Sequence, residues 1–180
     1  MSEPLEFAVT LYPEPLLRRT AEEVTTFDDD LGETVEAMYQ LMFESQGVGL
    51  AAPQVSLGRR ILVMNAEGDR EKPELNLTLI NPRIVERTGD KMLMEEGCLS
   101  FPGIFAEIAR SEDCVVEAVD VEGQPLRLEL TGFASRVLQH EYDHLEGVLL
   151  VDRMSPADRL RNKTALGEMI EDYKERQAQV

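Results

Sequence analysis

The chain has 180 residues, 43% of them apolar and 29% charged, which is enough for one hydrophobic core and ordinary for a globular domain. No apolar run approaches the ~20 residues that cross a bilayer, and the start "MSEPLEFAVTLYPEPLL" has the marks of neither a signal nor a transit peptide. The length predicts a single domain over residues 1–180 and the start predicts the cytoplasm, while a formal net charge of −17 repels polyanions, so neither DNA nor an anionic membrane is expected as main partner.

Residues 13–18, "PEPLLR", predict a turn leading into a short helix. Asp28 to Asp30 can cap a helix running to about Gln46, because Leu31, Val35, Met38, Leu41 and Met42 follow the 3.6-residue period and Gly47 fits the stop position. "RRILVMNA" and "LTLINPRIVERT" predict strands separated by the loop "EGDREKPELN". "CVVEAVDVEGQPLRLEL" predicts a hairpin that turns at Glu122-Gly123. Thr131 can cap a helix that runs to Glu146, with Gly147 just past its end. Ser155 and Pro156 predict the start of a C-terminal helix over about 155–177. Strands and helices mixed without a βαβ rhythm indicate an α+β fold.

The chain's two histidines, His140 and His144, stand four residues apart with Glu141 between them. On a helix that spacing puts both imidazoles on one face, which Phe133, Val137 and Glu141 share. His-Glu-x-x-His on a helix is the pattern in which two imidazoles hold a metal ion and the Glu serves as base. The alternative is a group of buried polar side chains without a metal, but three together need partners to offset their desolvation.

A catalytic centre of this kind takes three protein ligands, and no third histidine exists. The candidates are Glu168 and Glu171 downstream and Cys98 upstream, in "EEGCLSFPG". A thiolate suits zinc or Fe(II), and Gly97 before it predicts close backbone approach or a bulge. The missing histidine tips the balance to Cys98. Cys114, in the apolar run "DCVVEAVDV", is expected to be a small buried hydrophobe. "GVGLAAPQ", residues 47–54, is a small-residue segment that a ligand or another backbone can approach closely, or a plain turn after the helix. Gln54 at its end offers an amide that both donates and accepts.

Together "GVGLAAPQ", "EGCLS" and "QHEYDHLEG" resemble the three motifs of the peptide deformylases, in the same order and with similar spacing, and "LYPEPLLRRTAEEV" is similar to that family's opening. The resemblance runs from about Val9 to the Asp152 region, and the C-terminal helix is similar to the bacterial type. It implies mostly antiparallel sheets packed around a central helix that carries HExxH, flanked by N-terminal and C-terminal helices. It also implies an enzyme that removes the formyl group from N-formylmethionine at the start of new polypeptides and releases formate. Cys98, His140 and His144 would be the metal ligands for one divalent ion per chain, Fe(II) in the cell, with zinc, nickel or cobalt as substitutes. Glu141 would be the acid/base residue, and Gln54 and the backbone N–H of Leu99 would hold the developing oxyanion.

The resemblance further implies that Val48, Gly49 and Gly97 meet the substrate main chain. Val48, Phe133 and Val137 would line the methionine pocket, with Arg136 at its rim. Glu96 and Arg110 would pair behind Cys98, and contacts beyond the methionine would fall near Phe105 and Glu107, in a segment that varies within the family. Expected partners are nascent N-formylmethionyl peptides, with a transient ribosome contact through "RLRNK" (159–163) and the C-terminal helix; a monomer or weak dimer is expected. Two other readings stand beside this one. A zinc endopeptidase would take Glu168 or Glu171 as third ligand. A non-catalytic module docked on the ribosome would tolerate a degraded site, whereas every group named above is in place.

Overall fold

Five antiparallel strands form one sheet in the order β1–β2–β3–β4–β5: β1 (Gly49–Ala51), β2 (Ile61–Met64), β3 (Leu77–Cys98), β4 (Phe101–Val119) and β5 (Pro125–Thr131). The computed structural model describes residues 5–179. α1 (Asp29–Glu44) and α2 (Gly132–Leu145) are the long helices beside the sheet, and α3 (Leu150–Arg153), α4 (Pro156–Arg161) and α5 (Lys163–Ala178) follow. The fold is α+β, as the element pattern predicts.

The apolar run of β2 has no polar position because both of its faces are buried. Alternate side chains of a strand point to opposite faces. Ile61 and Val63 therefore join Met38 and Met42 of α1 in one core cluster, while Leu62 and Met64 join Val137, Leu138 and Leu145 of α2 in another. Each such side chain contributes about 1.5–3 kcal/mol on full burial. α1 begins as predicted, with Asp28 Oδ1 accepting from the Leu31 N–H at 3.1 Å. It ends at Glu44, and the left-handed residue after it is Gln46 (φ 56°), not Gly47. Gly47 is small for another reason: a Cβ there would lie 2.9 Å from Leu99 Cδ1.

β3 pairs with β2 only from Leu77 to Ile80 and then with β4 as far as Cys98, with a register shift between Gly97 and Cys98. That shift matches the irregularity predicted from Gly97, and it lies immediately before the two-residue turn that carries Leu99. Along β4, Ile104, Ala106, Ile108 and Arg110 are buried and alternate with exposed Phe105, Glu107 and Ala109. The inward face of β4 thus brings one arginine into an otherwise apolar row.

Two predicted helix details differ in the structure. Thr131 sits at the cap position of α2 but makes no side-chain cap bond; it is still paired with Asp113 as the last residue of β5. The C-terminal helix is broken at Asn162 into α4 and α5. Ser155 caps α4 as predicted, through Asp158 N at 3.1 Å. The break has a tertiary cause, since Asn162 Nδ2 donates both to Asp158 O at 3.0 Å and across to Phe105 O on β4 at 2.9 Å. Buried Asp158 also accepts from Glu107 N, at 3.2 Å. These bonds tie α4 to β4 and end it before α5 begins.

Candidate metal centre and active site

α2 presents His140, Glu141 and His144 toward the end of β3, where Cys98 stands. The ligand atoms of Cys98, His140 and His144 all lie within 4.8 Å of one another, and among the described residues theirs is the group of three able to hold a metal ion. Cys98 Sγ is 3.3 Å from His144 Nε2. Glu168 and Glu171 lie exposed on α5, and Glu171 pairs with Lys174 at 2.7 Å, so neither glutamate takes the third position. Cys114 is buried in the α2 cluster, the hydrophobe that its sequence context predicts.

Glu96 organises the charged groups around His140. Its Oε1 accepts from Arg110 Nε at 2.8 Å and Arg136 Nη1 at 2.6 Å, and its Oε2 from Arg110 Nη2 at 3.0 Å and His140 Nδ1 at 3.0 Å. Burial alone would raise its pKa, but the bonds from His140 and Arg110 and the charge of Arg110 outweigh it and bring the carboxyl down to about 2. An ionised carboxylate only accepts, so His140 carries a proton on Nδ1 and leaves its other nitrogen to face Cys98. Burial pushes both imidazoles toward the neutral form. Cys98 and Glu96 reverse this for His140, which is held well above its ordinary value. His144 stays well below its ordinary value, through burial and then the neighbouring His140 and Arg110.

Glu141 is buried, and burial pushes its carboxyl up to about 7, against the pull of His140 and Arg110. Among the described residues its Oε2 and His144 Nδ1 are buried side-chain atoms with no hydrogen-bond partner. A carboxylic acid near neutrality with an unused oxygen is suited to moving a proton at physiological pH. The donors fit a divalent metal: two imidazoles and a thiol suit Fe(II) or zinc, and an unpartnered carboxylate oxygen stands beside them. Gln54 is buried; its Oε1 accepts from Ala51 N at 2.9 Å, and its Nε2 donates to Ser100 Oγ at 3.2 Å and toward Cys98 Sγ at 3.6 Å. The amide N–H is thereby fixed at the edge of the cysteine.

A cavity of about 430 Å³ opens over this group, within the ~300–1,000 Å³ range of small-molecule sites. Val48, Gly49, Gly97, Phe133, Arg136 and Val137, the positions predicted for substrate, all line it, together with Gln54, Cys98, Leu99, His140 and Glu141. Phe105 lines it too, whereas the Glu107 N–H is engaged with Asp158. Arg136 lines the cavity as expected, but its guanidinium is held by protein acceptors. It is not a free cation at a rim: it is 4% exposed and both terminal nitrogens are committed. Arg110 is a buried partner of Glu96, as expected, and also bonds Asp143 Oδ2 at 2.7 Å. Asp143 in turn accepts from Arg153 Nη2 at 2.7 Å. Sequence reading missed the Asp143–Arg153 link and Ser100 as the partner of Gln54. For Asp143, its place within the HExxH segment is the one available signal.

An HExxH helix, a cysteine brought beside it and a cavity over both define a metallohydrolase. A polypeptide deformylase family model matches residues 7–160. The chain is 45% identical to the peptide deformylase of Thermotoga sp. (strain RQ2) over 154 residues, which covers 86% of this chain and 90% of that one. It is 40% identical over 147 residues to the chloroplastic peptide deformylase 1B of Oryza sativa subsp. japonica, covering 82% of this chain and 54% of that protein. A crystal structure of peptide deformylase from Plasmodium falciparum superposes with a TM-score of 0.90 at 44% identity, covering 93% of this chain and 97% of that one. The chain belongs to the polypeptide deformylase family, metal-dependent hydrolases that remove the N-formyl group from newly made polypeptides. No helix among the described residues is long and apolar enough to cross a membrane.

Proposed function

We propose that this chain deformylates N-formylmethionyl peptides with Cys98, His140 and His144 as metal ligands, Glu141 as acid/base residue, and Gln54 and the Leu99 N–H as oxyanion donors. The observation that carries the reading is the gathering of the three ligand atoms within 4.8 Å beside the unpartnered Oε2 of Glu141. When bound, a divalent metal supplies a Lewis acid and lowers the pKa of water to about 7.

The chain's own groups do the rest. Glu141, poised near pH 7 by burial, takes the proton of the attacking water and gives it to the departing amine nitrogen. That exchange is typically worth about 10²–10⁴-fold. As charge builds on the formyl oxygen, Gln54 Nε2 and the Leu99 N–H donate to it; one such donor contributes ~2.7–4 kcal/mol. Val48, Phe133 and Val137 take the methionine side chain, and Gly49 and Gly97 allow the substrate main chain close approach. The products are formate and a free amino terminus.

Fe(II) is our assignment for the working ion, with zinc, nickel or cobalt able to replace it; a thiolate among the ligands makes the ion less positive than three imidazoles would. We further assign the chain to the cytoplasm, as one domain and a monomer or weak dimer. The "RLRNK" segment is our proposed transient ribosome contact. It rests on local charge; within the segment Arg161 pairs with Asp158 at 2.6 Å and Arg159 donates to Val151 O at 2.7 Å.

The experiment is to purify the protein anaerobically, incubate it with formyl-Met-Ala, and measure formate with metal content on the same sample. Formate release in proportion to Fe(II) is expected. Protein that carries metal and releases no formate overturns the assignment.

A further inference from the structure

Arg136 lines the cavity, yet both of its terminal nitrogens are committed to protein acceptors. It comes from the buried second turn of α2 and reaches both strands of the β3–β4 ladder. Nη1 donates to Glu96 Oε1 at 2.6 Å and Ile108 O at 2.9 Å, and Nη2 to Met92 O at 2.5 Å. No lysine can do this, because an ammonium is a point charge on a flexible stem, whereas a guanidinium offers several donors in a rigid fork.

The weight of these bonds falls on Glu96. A carboxylate has about four acceptor positions, and here all are used: two by Arg110, one by Arg136 and one by His140 Nδ1. The last torsion of a glutamate is broad and poorly fixed by itself. Arg110 holds both oxygens and Arg136 also holds Oε1, while Oε2 accepts in addition from His140 Nδ1. Such partners of a ligating histidine fix its tautomer and ring orientation.

We infer that Arg136 is a positioning residue: it locks the Glu96 carboxylate, and through it the His140 ring, instead of contacting substrate. This rests on the reading of His140 as a metal ligand. Asp143 and Arg153 support the same network from the opposite side, through Arg110.

The test uses wild type, Arg136→Met and Arg136→Lys, loaded with zinc. Zinc release into excess chelator is timed, and kcat and KM are measured with formyl-Met-Ala. Loss of a partner behind a ligand typically costs about 10–100-fold in metal affinity or activity. The Met variant is expected to release zinc at least about tenfold faster, with lower kcat and KM within about threefold of wild type. The Lys variant, which keeps the charge, should fall between; it also carries the test if the Met variant does not fold. A raised KM with unchanged kcat and zinc release would make Arg136 a substrate contact and overturn the inference. Unchanged zinc release and kcat would reduce it to a staple of the fold and overturn the inference as well. If wild type holds zinc but yields no formate, the function fails while zinc release still decides the role of Arg136. Wild type that binds no zinc overturns both.

Discussion

The backbone of Gly49 lies against the carboxylate of Glu141: a Cβ on Gly49 would stand 2.6 Å from Oε1 and 2.8 Å from Cγ. At this point β1 meets the HExxH helix with the Glu141 side chain packed directly on the Gly49 backbone. Gly49→Ala must push Glu141 aside or part the two elements, and overpacking of this kind typically costs about 1–3 kcal/mol. We expect a folded protein with a lowered melting temperature and a loss of deformylase kcat larger than any change in KM. Wild-type kcat in the Ala variant would show that Glu141 has room to spare.

Glu141→Gln keeps the shape and removes the proton carrier. The variant should retain its metal and lose about 10²–10⁴-fold in kcat. Metal analysis beside the kinetics separates the outcomes, since a metal-free Gln variant would make Glu141 a ligand or a structural group.

Gln54→Ala removes one proposed donor to the formyl oxygen. A fall of about 10²–10³ in kcat is expected, with metal content unchanged. Because Gln54 Nε2 also points toward Cys98 Sγ at 3.6 Å, loss of metal in this variant would assign the residue to the ligand rather than to the oxyanion.

Arg110 sits between two buried carboxylates, Glu96 and Asp143, at 2.8 and 2.7 Å. Arg110→Met leaves both with fewer partners, and breaking such a buried pair typically costs about 3–5 kcal/mol. Urea unfolding of the metal-free protein measures this directly. A loss under about 1 kcal/mol would put the pair in the class of exposed ion pairs.

Tyr39 supplies a pH dependence remote from the metal centre. Burial pushes its phenol from 10.0 up to about 12, with Thr78 opposing and Glu36 assisting. The folded state thus holds the proton more tightly than the unfolded state. Its contribution is complete below about pH 10 and is lost as pH rises toward about 12. A shift of that size corresponds to roughly 2–3 kcal/mol. Urea unfolding from pH 9 to pH 11 should therefore show wild type losing stability more steeply than Tyr39→Phe; parallel curves would mean that Tyr39 ionises as freely in the fold as outside it.

Local pattern accounts for what was legible. The period of α1, the hairpin turn at Glu122-Gly123 and the one-turn spacing of His140 and His144 are short-range features, and the structure keeps each of them. The small residues of "GVGLAAPQ" leave close approach and a plain turn both open in the sequence; in the structure Gly47 and Gly49 are approached closely by side chains, those of Leu99 and Glu141. Where expectation and structure part, a distant contact intervenes. Asn162 ends α4 because it bonds Phe105, 57 residues away. Arg136 stays in the cavity lining but is not free there, because Glu96, 40 residues earlier, takes its Nη1.

The sequence by itself determined the residue types of the site, their order along the chain and the helix that spaces two of them, since a 3.6-residue period needs no partner to be read. Only the tertiary structure decided that Cys98 and not a glutamate of α5 stands beside the two histidines, and that Arg110 and Arg136 meet on one carboxylate. Those choices depend on where the end of β3 meets α2 and where the ladder shifts register beside Cys98. A buried charge must take whatever partner the packed strands bring within reach.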